Sequence, residues 1–201
     1  LTDLADAGNR LCRKYGWPTH ERQAYRYFVG NGIPKLVERL APADQRTPAV
    51  LEAALADFKR DYGQHLRDTT APYPGIPEML AKLKANGVQL AVFSNKADAL
   101  AKEVVKDYFG TQYFTIVRGQ MTGVAPKPAA EGTNALLQAL HADPASTLYV
   151  GDSNVDVETA HNANLPCCGA VWGFRTREEL NAAGAEYLAE NSDELYDVIM
   201  K

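Results

Sequence analysis

The sequence predicts an α/β protein, a parallel sheet covered by helices on both faces and preceded by a smaller helical region. Three observations carry that expectation. From residue 77 onward, short apolar runs alternate with helix-period stretches, the pattern of a parallel sheet whose crossovers are helices. Before residue 69 only helical periods occur. Between the two, 69–77 is rich in proline and glycine and reads as a linker.

The helical region comes first. Leu4, Ala7, Leu11 and Tyr15 keep helical spacing, with Thr2 or Asp3 as a candidate cap and Gly16-Trp17-Pro18 as a stop. A second helix is expected over 22–29, ending at Gly30-Asn31-Gly32, and a short third over 34–40. The stretch 42–48 is a polar break. Pro48 suits the first turn of a long helix through Leu51, Leu55, Phe58 and Tyr62. In the second region, helices are expected over 77–86, 97–108, 128–140, 155–163, 176–182 and 193–200. Strands are expected over 88–93, 113–117, 147–150, 167–171 and 186–188.

Composition removes several classes of function. The 201 residues are 46% hydrophobic and 23% charged with a net charge of -4, ordinary for a soluble globular chain. No basic stripe marks a nucleic-acid surface, and no apolar run approaches the roughly 20 residues that span a bilayer. The chain is therefore expected to be cytoplasmic, without nucleic-acid or membrane partners. The three cysteines, Cys12, Cys167 and Cys168, are too few and too oddly spaced for a disulfide framework. Cys167 and Cys168 are expected to be buried strand thiols.

Parallel sheets bind ligands at the carboxyl ends of their strands, and three such loops carry chemistry. Ser94-Asn95-Lys96 offers a hydroxyl and a backbone N–H at a strand end, an anion site or else a helix cap. Lys127 stands between Pro126 and Pro128, which fix its backbone direction; a solvated lysine is the plain alternative. Gly151-Asp152-Ser153-Asn154-Val155-Asp156 ends an apolar strand and places two carboxylates four residues apart, about one helical turn. Such a pair suits Mg²⁺, with a cap at Asp152 or Asn154 beside a solvated Asp156 as the alternative.

Taken in order, Ser94-Asn95, Lys127 and Gly151-Asp152 with Asp156 resemble the second, third and fourth motifs of the haloacid dehalogenase superfamily. Gly30-Asn31-Gly32, Tyr73-Pro74-Gly75 and Trp172-Gly173-Phe174-Arg175 are similar to the phosphoglycolate phosphatases of that superfamily. The resemblance implies a helical cap over 1–70 and a Rossmann-like three-layer α/β core over 71–201. It implies a Mg²⁺-dependent phosphatase acting on a small phosphorylated metabolite, above all 2-phosphoglycolate, through an aspartyl-phosphate. Asp152 would hold the metal, with Asp156 and Ser153 behind it. Ser94, Asn95 and Lys127 would hold the phosphate, Lys127 and Asp156 would serve the chemistry, and Lys35 in the cap is a candidate substrate contact. Alternatives are a β-phosphoglucomutase-like phosphotransferase and a non-catalytic phosphate-binding module. The chain is expected to be a monomer or homodimer.

The first motif of the superfamily, Asp-x-Asp-Gly-Thr, occurs nowhere in the sequence, which opens at Leu1-Thr2-Asp3-Leu4-Ala5-Asp6 with what reads as a helix start. The resemblance implies that this motif would bring the nucleophile, an acid–base aspartate, a metal ligand and the central strand. Omitting a central strand should be ruinous, because even one buried leucine is worth about 2–5 kcal/mol of a total near 5–15. The sequence is accordingly expected to start late relative to the natural protein. Asp3 and Asp6, on a helix, are poor substitutes.

Overall fold

The computed structural model describes all residues, 1–201. The chain divides into two compact units, Leu1–Ala71 and Pro72–Lys201.

The first unit is helical. Helices α1 (Thr2–Tyr15), α2 (Arg22–Phe28), α3 (Ile33–Leu40) and α4 (Pro48–Gln64) pack around Leu11, Cys12, Tyr25, Leu36, Leu40 and Phe58, all at most 4% exposed. Gly16 ends α1 in the left-handed conformation, φ 67°, as a glycine at that position does without steric cost. Thr47 caps α4, and Pro48 takes its first turn. Asp3 is not a cap. It is 4% exposed, and its carboxylate accepts the backbone N–H groups of Thr69 (2.9 Å) and Thr70 (3.1 Å) and both threonine hydroxyls. One side chain near the start of the unit thereby fastens its last residues.

The second unit alternates as expected: α5 (Ile76–Ala85), β1 (Leu90–Ala97), α6 (Asp98–Phe109), β2 (Phe114–Gln120), α7 (Glu131–Leu140), β3 (Tyr149–Gly151), α8 (Asn154–Asn162), β4 (Cys167–Ala170), α9 (Arg177–Ala182), β5 (Tyr187–Ala189) and α10 (Ser192–Ile199). Every strand pair is parallel. The strands form two sheets, β1-β2 and β3-β4-β5, rather than one. The second has helices on both faces. Met79, Leu80 and Leu83 of α5 and Leu195 of α10 pack with Cys168, while Val157 and Ala160 of α8 and Leu180 of α9 pack with Cys167. Successive strand residues point to opposite faces, so the adjacent cysteines belong to different layers. Both are free and fully buried. Burial raises the Cys167 thiol to about 12 and the Cys168 thiol to about 11, which keeps both protonated and inert.

One boundary differs in a way that matters. The strand expected to stop at residue 93 continues to Ala97. Phe93 pairs with Arg118 and Ala97 with Gln120, so three residues of β1 lie opposite Gly119 alone. That is a bulge, which bends a strand and re-aims its side chains. Gly119 makes it possible, because a Cβ there would sit 2.4 Å from the Lys96 carbonyl oxygen and 2.6 Å from Asp98 Cα.

Candidate active site

The bulge carries Ser94 and Asn95 within β1, not in a loop after it. Neither caps the following helix: α6 begins at Asp98 without a side-chain cap. The Ser94 hydroxyl accepts the Lys96 N–H at 3.1 Å. The Asn95 side chain reaches across to Lys127, its Oδ1 accepting the Lys127 N–H at 2.9 Å and its Nδ2 donating to the Lys127 carbonyl at 3.2 Å. The expectation for Asn95 concerned its backbone N–H. What the structure adds is a side-chain clamp on the main chain of the lysine.

Lys127 is not a solvated surface lysine, its side chain being only 11% exposed. Its ammonium donates to Asp156 Oδ1 at 2.6 Å and lies 5.8 Å from the centre of the Phe93 ring. Burial pulls the Lys127 pKa down, but the Asp156 charge, followed by Tyr149, outweighs it and holds the pKa above the ordinary lysine value. Lys127 is therefore a fixed cation at neutral pH.

Asp156 is the third acceptor-rich element. It stands at the third position of α8, where Ser153 is the cap, and the two exchange the bonds of a capping box. Asp156 Oδ2 accepts the Ser153 hydroxyl (2.7 Å) and the N–H groups of Ser153 and Asp152 (3.2 Å each). The cap is therefore Ser153, not Asp152 or Asn154, and Asp156 is buried, not solvated. Gly151 permits this approach: a Cβ on it would fall 2.1 Å from Asp156 Cβ.

Asp152, one residue past β3, is held by the segment after β4. Its Oδ2 accepts the Phe174 N–H at 3.2 Å, and its carbonyl accepts the Arg175 N–H at 3.1 Å. Gly173 lies against it so closely that a Cβ would come within 2.1 Å of Asp152 Cβ. Burial first, and then the neighbouring Asp156 charge, raises the Asp152 pKa to about 6, against the opposing pull of the Phe174 N–H and Lys127.

Asn95, Lys127, Asp156, Ser153 and Asp152 thus form one connected network at the strand ends, with Ser94 next to Asn95 in the chain. Lys35 belongs to the first unit, on α3, where its ammonium pairs with Glu38 at 2.8 Å and its side chain is 45% exposed. Reading the sequence missed the Asn95 clamp and the Gly173-Phe174 cradle. The signals were present in the amide next to Ser94 and in the glycine of the Trp172-Gly173-Phe174-Arg175 run.

The acidic side chains of the network supply only part of a Mg²⁺ shell. No three Asp, Glu, His or Cys side chains come together. The cation commonly takes one or two carboxylates and completes its shell with water and phosphate. Asp152 fits one such position: its anion is disfavoured by burial and a like charge, which a cation would reverse. Asp156 is engaged by Lys127 and Ser153 and fits a supporting position.

Comparison with known proteins identifies the family. The family model described as haloacid dehalogenase-like hydrolase matches residues 2–170. A plasmid-encoded phosphoglycolate phosphatase of Cupriavidus necator is 30% identical over 194 residues, covering 96% of this chain and 84% of that protein. A phosphoglycolate phosphatase of Chromobacterium violaceum is 29% identical over 202 residues, covering 99% and 90%. Among solved structures, a Lactobacillus delbrueckii protein provisionally assigned as a phosphoglycolate phosphatase superposes with a TM-score of 0.92 at 26% identity, covering 98% of this chain and 91% of that one. CbbY of Rhodobacter sphaeroides, solved with phosphate, shares the fold with a TM-score of 0.77 at 21% identity, covering 96% and 89%. With its motif residues gathered at the strand ends and the family model matching most of its length, the chain belongs to the haloacid dehalogenase-like hydrolases.

Proposed function

We propose that this site serves a phosphatase that hydrolyses a small phosphate monoester, with 2-phosphoglycolate as the substrate that the names of its relatives indicate. The observation that carries the reading is the buried Lys127–Asp156 pair beside Asp152. It joins a fixed cation, able to hold phosphate oxygens, to a carboxylate whose charge is disfavoured by burial and by Asp156 and would be relieved by a metal.

In this reading Lys127 neutralises phosphate charge, and the Asn95 clamp fixes where the ammonium starts from. The Ser94 hydroxyl binds a phosphate oxygen. Asp156 aligns Lys127 and keeps it protonated. Asp152 would hold Mg²⁺, its carboxylate positioned by the Phe174 N–H. When bound, the metal supplies charge stabilisation to the phosphoryl group. Most of the rate enhancement is positioning and electrostatics, as in phosphoryl transfer generally. Attack through an aspartyl-phosphate would require a further carboxylate, since Asp156 is engaged by Lys127 and Asp152 would be taken up by the metal. The helical unit 1–71 acts as the cap that selects the ester.

The test is phosphate release from 2-phosphoglycolate and other small esters by the natural gene product, with and without Mg²⁺. Release that needs Mg²⁺, and that falls at least a hundredfold in Lys127→Met, is expected. Release unaffected by chelation or by that substitution would refute the reading. Conversion of hexose phosphate isomers without net phosphate release would identify the mutase alternative.

A further inference from the structure

Lys127 sits in the turn 126–129, closed by the Ala129 N–H donating to the Pro126 carbonyl at 3.0 Å. A surface turn ordinarily leaves its central backbone groups to water. Here side chains from outside the turn take all of them. Lys127 and Pro128 offer one N–H and two carbonyls between them, because proline has no N–H. The Lys127 N–H and carbonyl bond to Asn95 of β1. The Pro128 carbonyl accepts from Asn162 Nδ2, on α8, at 2.8 Å. A carbonyl only accepts, so it is the amide nitrogen of Asn162 that must face it.

Asn162 is the last residue of α8. Nothing about that place asks for asparagine. The residue is a poor helix former, its position is exposed, and a helix C-terminus favours a cation over a neutral amide. Its contact spans 34 residues of sequence. What the place offers is leverage. The same helix holds the Lys127 ammonium through Asp156 at 2.6 Å, six residues nearer its start, or about 9 Å along the axis. Asp152 and Ser153 lead into that start. Attached to α8 through the ion pair alone, the turn could pivot about it. Two attachments well apart on one rigid helix fix its direction as well as its position.

We propose that Asn162 is a positioning residue for Lys127: by holding the Pro128 carbonyl it sets the turn against α8, and so sets where the ammonium stands relative to Asp152. It acts through the lysine, not on the ester. Its consequence for turnover rests on the phosphatase reading; its consequence for Lys127 does not.

The loop supplies a control. Gln120, at the end of β2, likewise donates to main-chain carbonyls of this loop, but upstream, at Met121 and Val124. The natural gene product is compared with Asn162→Ala, Asn162→Gln and Gln120→Ala. One readout is steady-state phosphate release in Mg²⁺ from 2-phosphoglycolate, or from the small ester that the parent turns over fastest. The other is the rate at which N-acetoxysuccinimide acetylates Lys127, followed by peptide mass. In Asn162→Ala, kcat should fall at least fivefold with KM changed less than twofold, and Lys127 acetylation should quicken at least threefold. Asn162→Gln keeps the donor, and its extra methylene has room at an exposed position, so both readouts should return to within twofold of the parent. Gln120→Ala should leave both within twofold. Unchanged kcat in Asn162→Ala, an equal loss in Gln120→Ala, or unchanged Lys127 acetylation overturns the proposal. A parent that releases phosphate from no ester refutes the phosphatase reading instead, and Lys127 acetylation then decides the placement alone.

Discussion

Replacing Asp152 by asparagine should make this chain more stable at neutral pH while disabling its site. The argument starts from the Asp152 pKa, raised from 3.8 to about 6 by burial and by Asp156. The difference is about 2.2 units, and at about 1.36 kcal/mol per unit it amounts to roughly 3 kcal/mol. The sign follows from proton counting. Between pH 4 and 6 the folded chain holds a proton that the unfolded chain has released, so stability falls as pH rises through that window. Above pH 6 the full cost is present. Asparagine cannot ionise, and its amide oxygen can still accept the Phe174 N–H that Asp152 accepts at 3.2 Å.

The assay is thermal and urea unfolding of both proteins from pH 4 to 8 in chelator. The difference between them removes the titration of every other carboxylate. Near pH 4 the two should be nearly equal; at pH 7.5 Asp152→Asn should be more stable by about 3 kcal/mol, or some 6–12 °C for a chain of this length. Mg²⁺ should nearly close that gap, stabilising the parent by about 2.7 kcal/mol at a hundred times its Kd while leaving the variant unmoved. A variant less stable than the parent at pH 7.5, or a difference that does not change with pH, would refute the reasoning.

Four further outcomes follow from the same geometry. Lys127→Met leaves the Asp156 carboxylate buried without its partner at 2.6 Å and should cost about 3–5 kcal/mol by urea unfolding. Because the Lys127 pKa is raised, its contribution is complete below the ordinary lysine range and is lost as pH rises through the raised value, so the variant should lack that alkaline limb. Asn95→Ala removes both bonds to the Lys127 main chain; phosphate release should fall at least tenfold, with a stability loss of about 1–3 kcal/mol. Gly173→Ala puts a Cβ 2.3 Å from Asp152 Oδ2; overpacking of about 1–3 kcal/mol should come with loss of the Mg²⁺-dependent thermal shift. In the first unit, Asp3→Ala strands four donors and should cost about 2–4 kcal/mol. The lowered Asp3 pKa means that its stabilisation is present above the ordinary aspartate value and is lost as pH falls through the lowered one.

The elements were legible wherever one local signal decided them. Pro48 marks the first turn of α4 and Gly16 the end of α1. The apolar run through Cys167 and Cys168 announced a strand buried on both faces. Contacts distant in sequence were not legible. Asp3 has the composition of a cap, and only tertiary structure brings it to Thr69 and Thr70, 66 and 67 residues away. Ser94 and Asn95 fell in an expected loop because the bulge that retains them in β1 depends on Gly119, which lies opposite on another strand. The partner of the Asn95 side chain likewise lies 32 residues away.

The charges in the network set the order in which it can be filled. Asp156 acts on both neighbours at once: it holds Lys127 protonated and pushes Asp152 toward neutrality. With all three ionised, the sum is two negative charges and one positive, a net of -1. A phosphate monoester carries roughly two more negative charges at neutral pH, and like charges within a few ångströms in a poorly solvated site repel strongly. One lysine, already committed to Asp156 at 2.6 Å, cannot offset them. A divalent cation at Asp152 would turn the balance positive before the ester arrives. Metal should therefore precede phosphate, and inorganic phosphate should stabilise the chain in Mg²⁺ but not in chelator. Thermal shifts with phosphate alone as large as those with phosphate and Mg²⁺ would contradict that order.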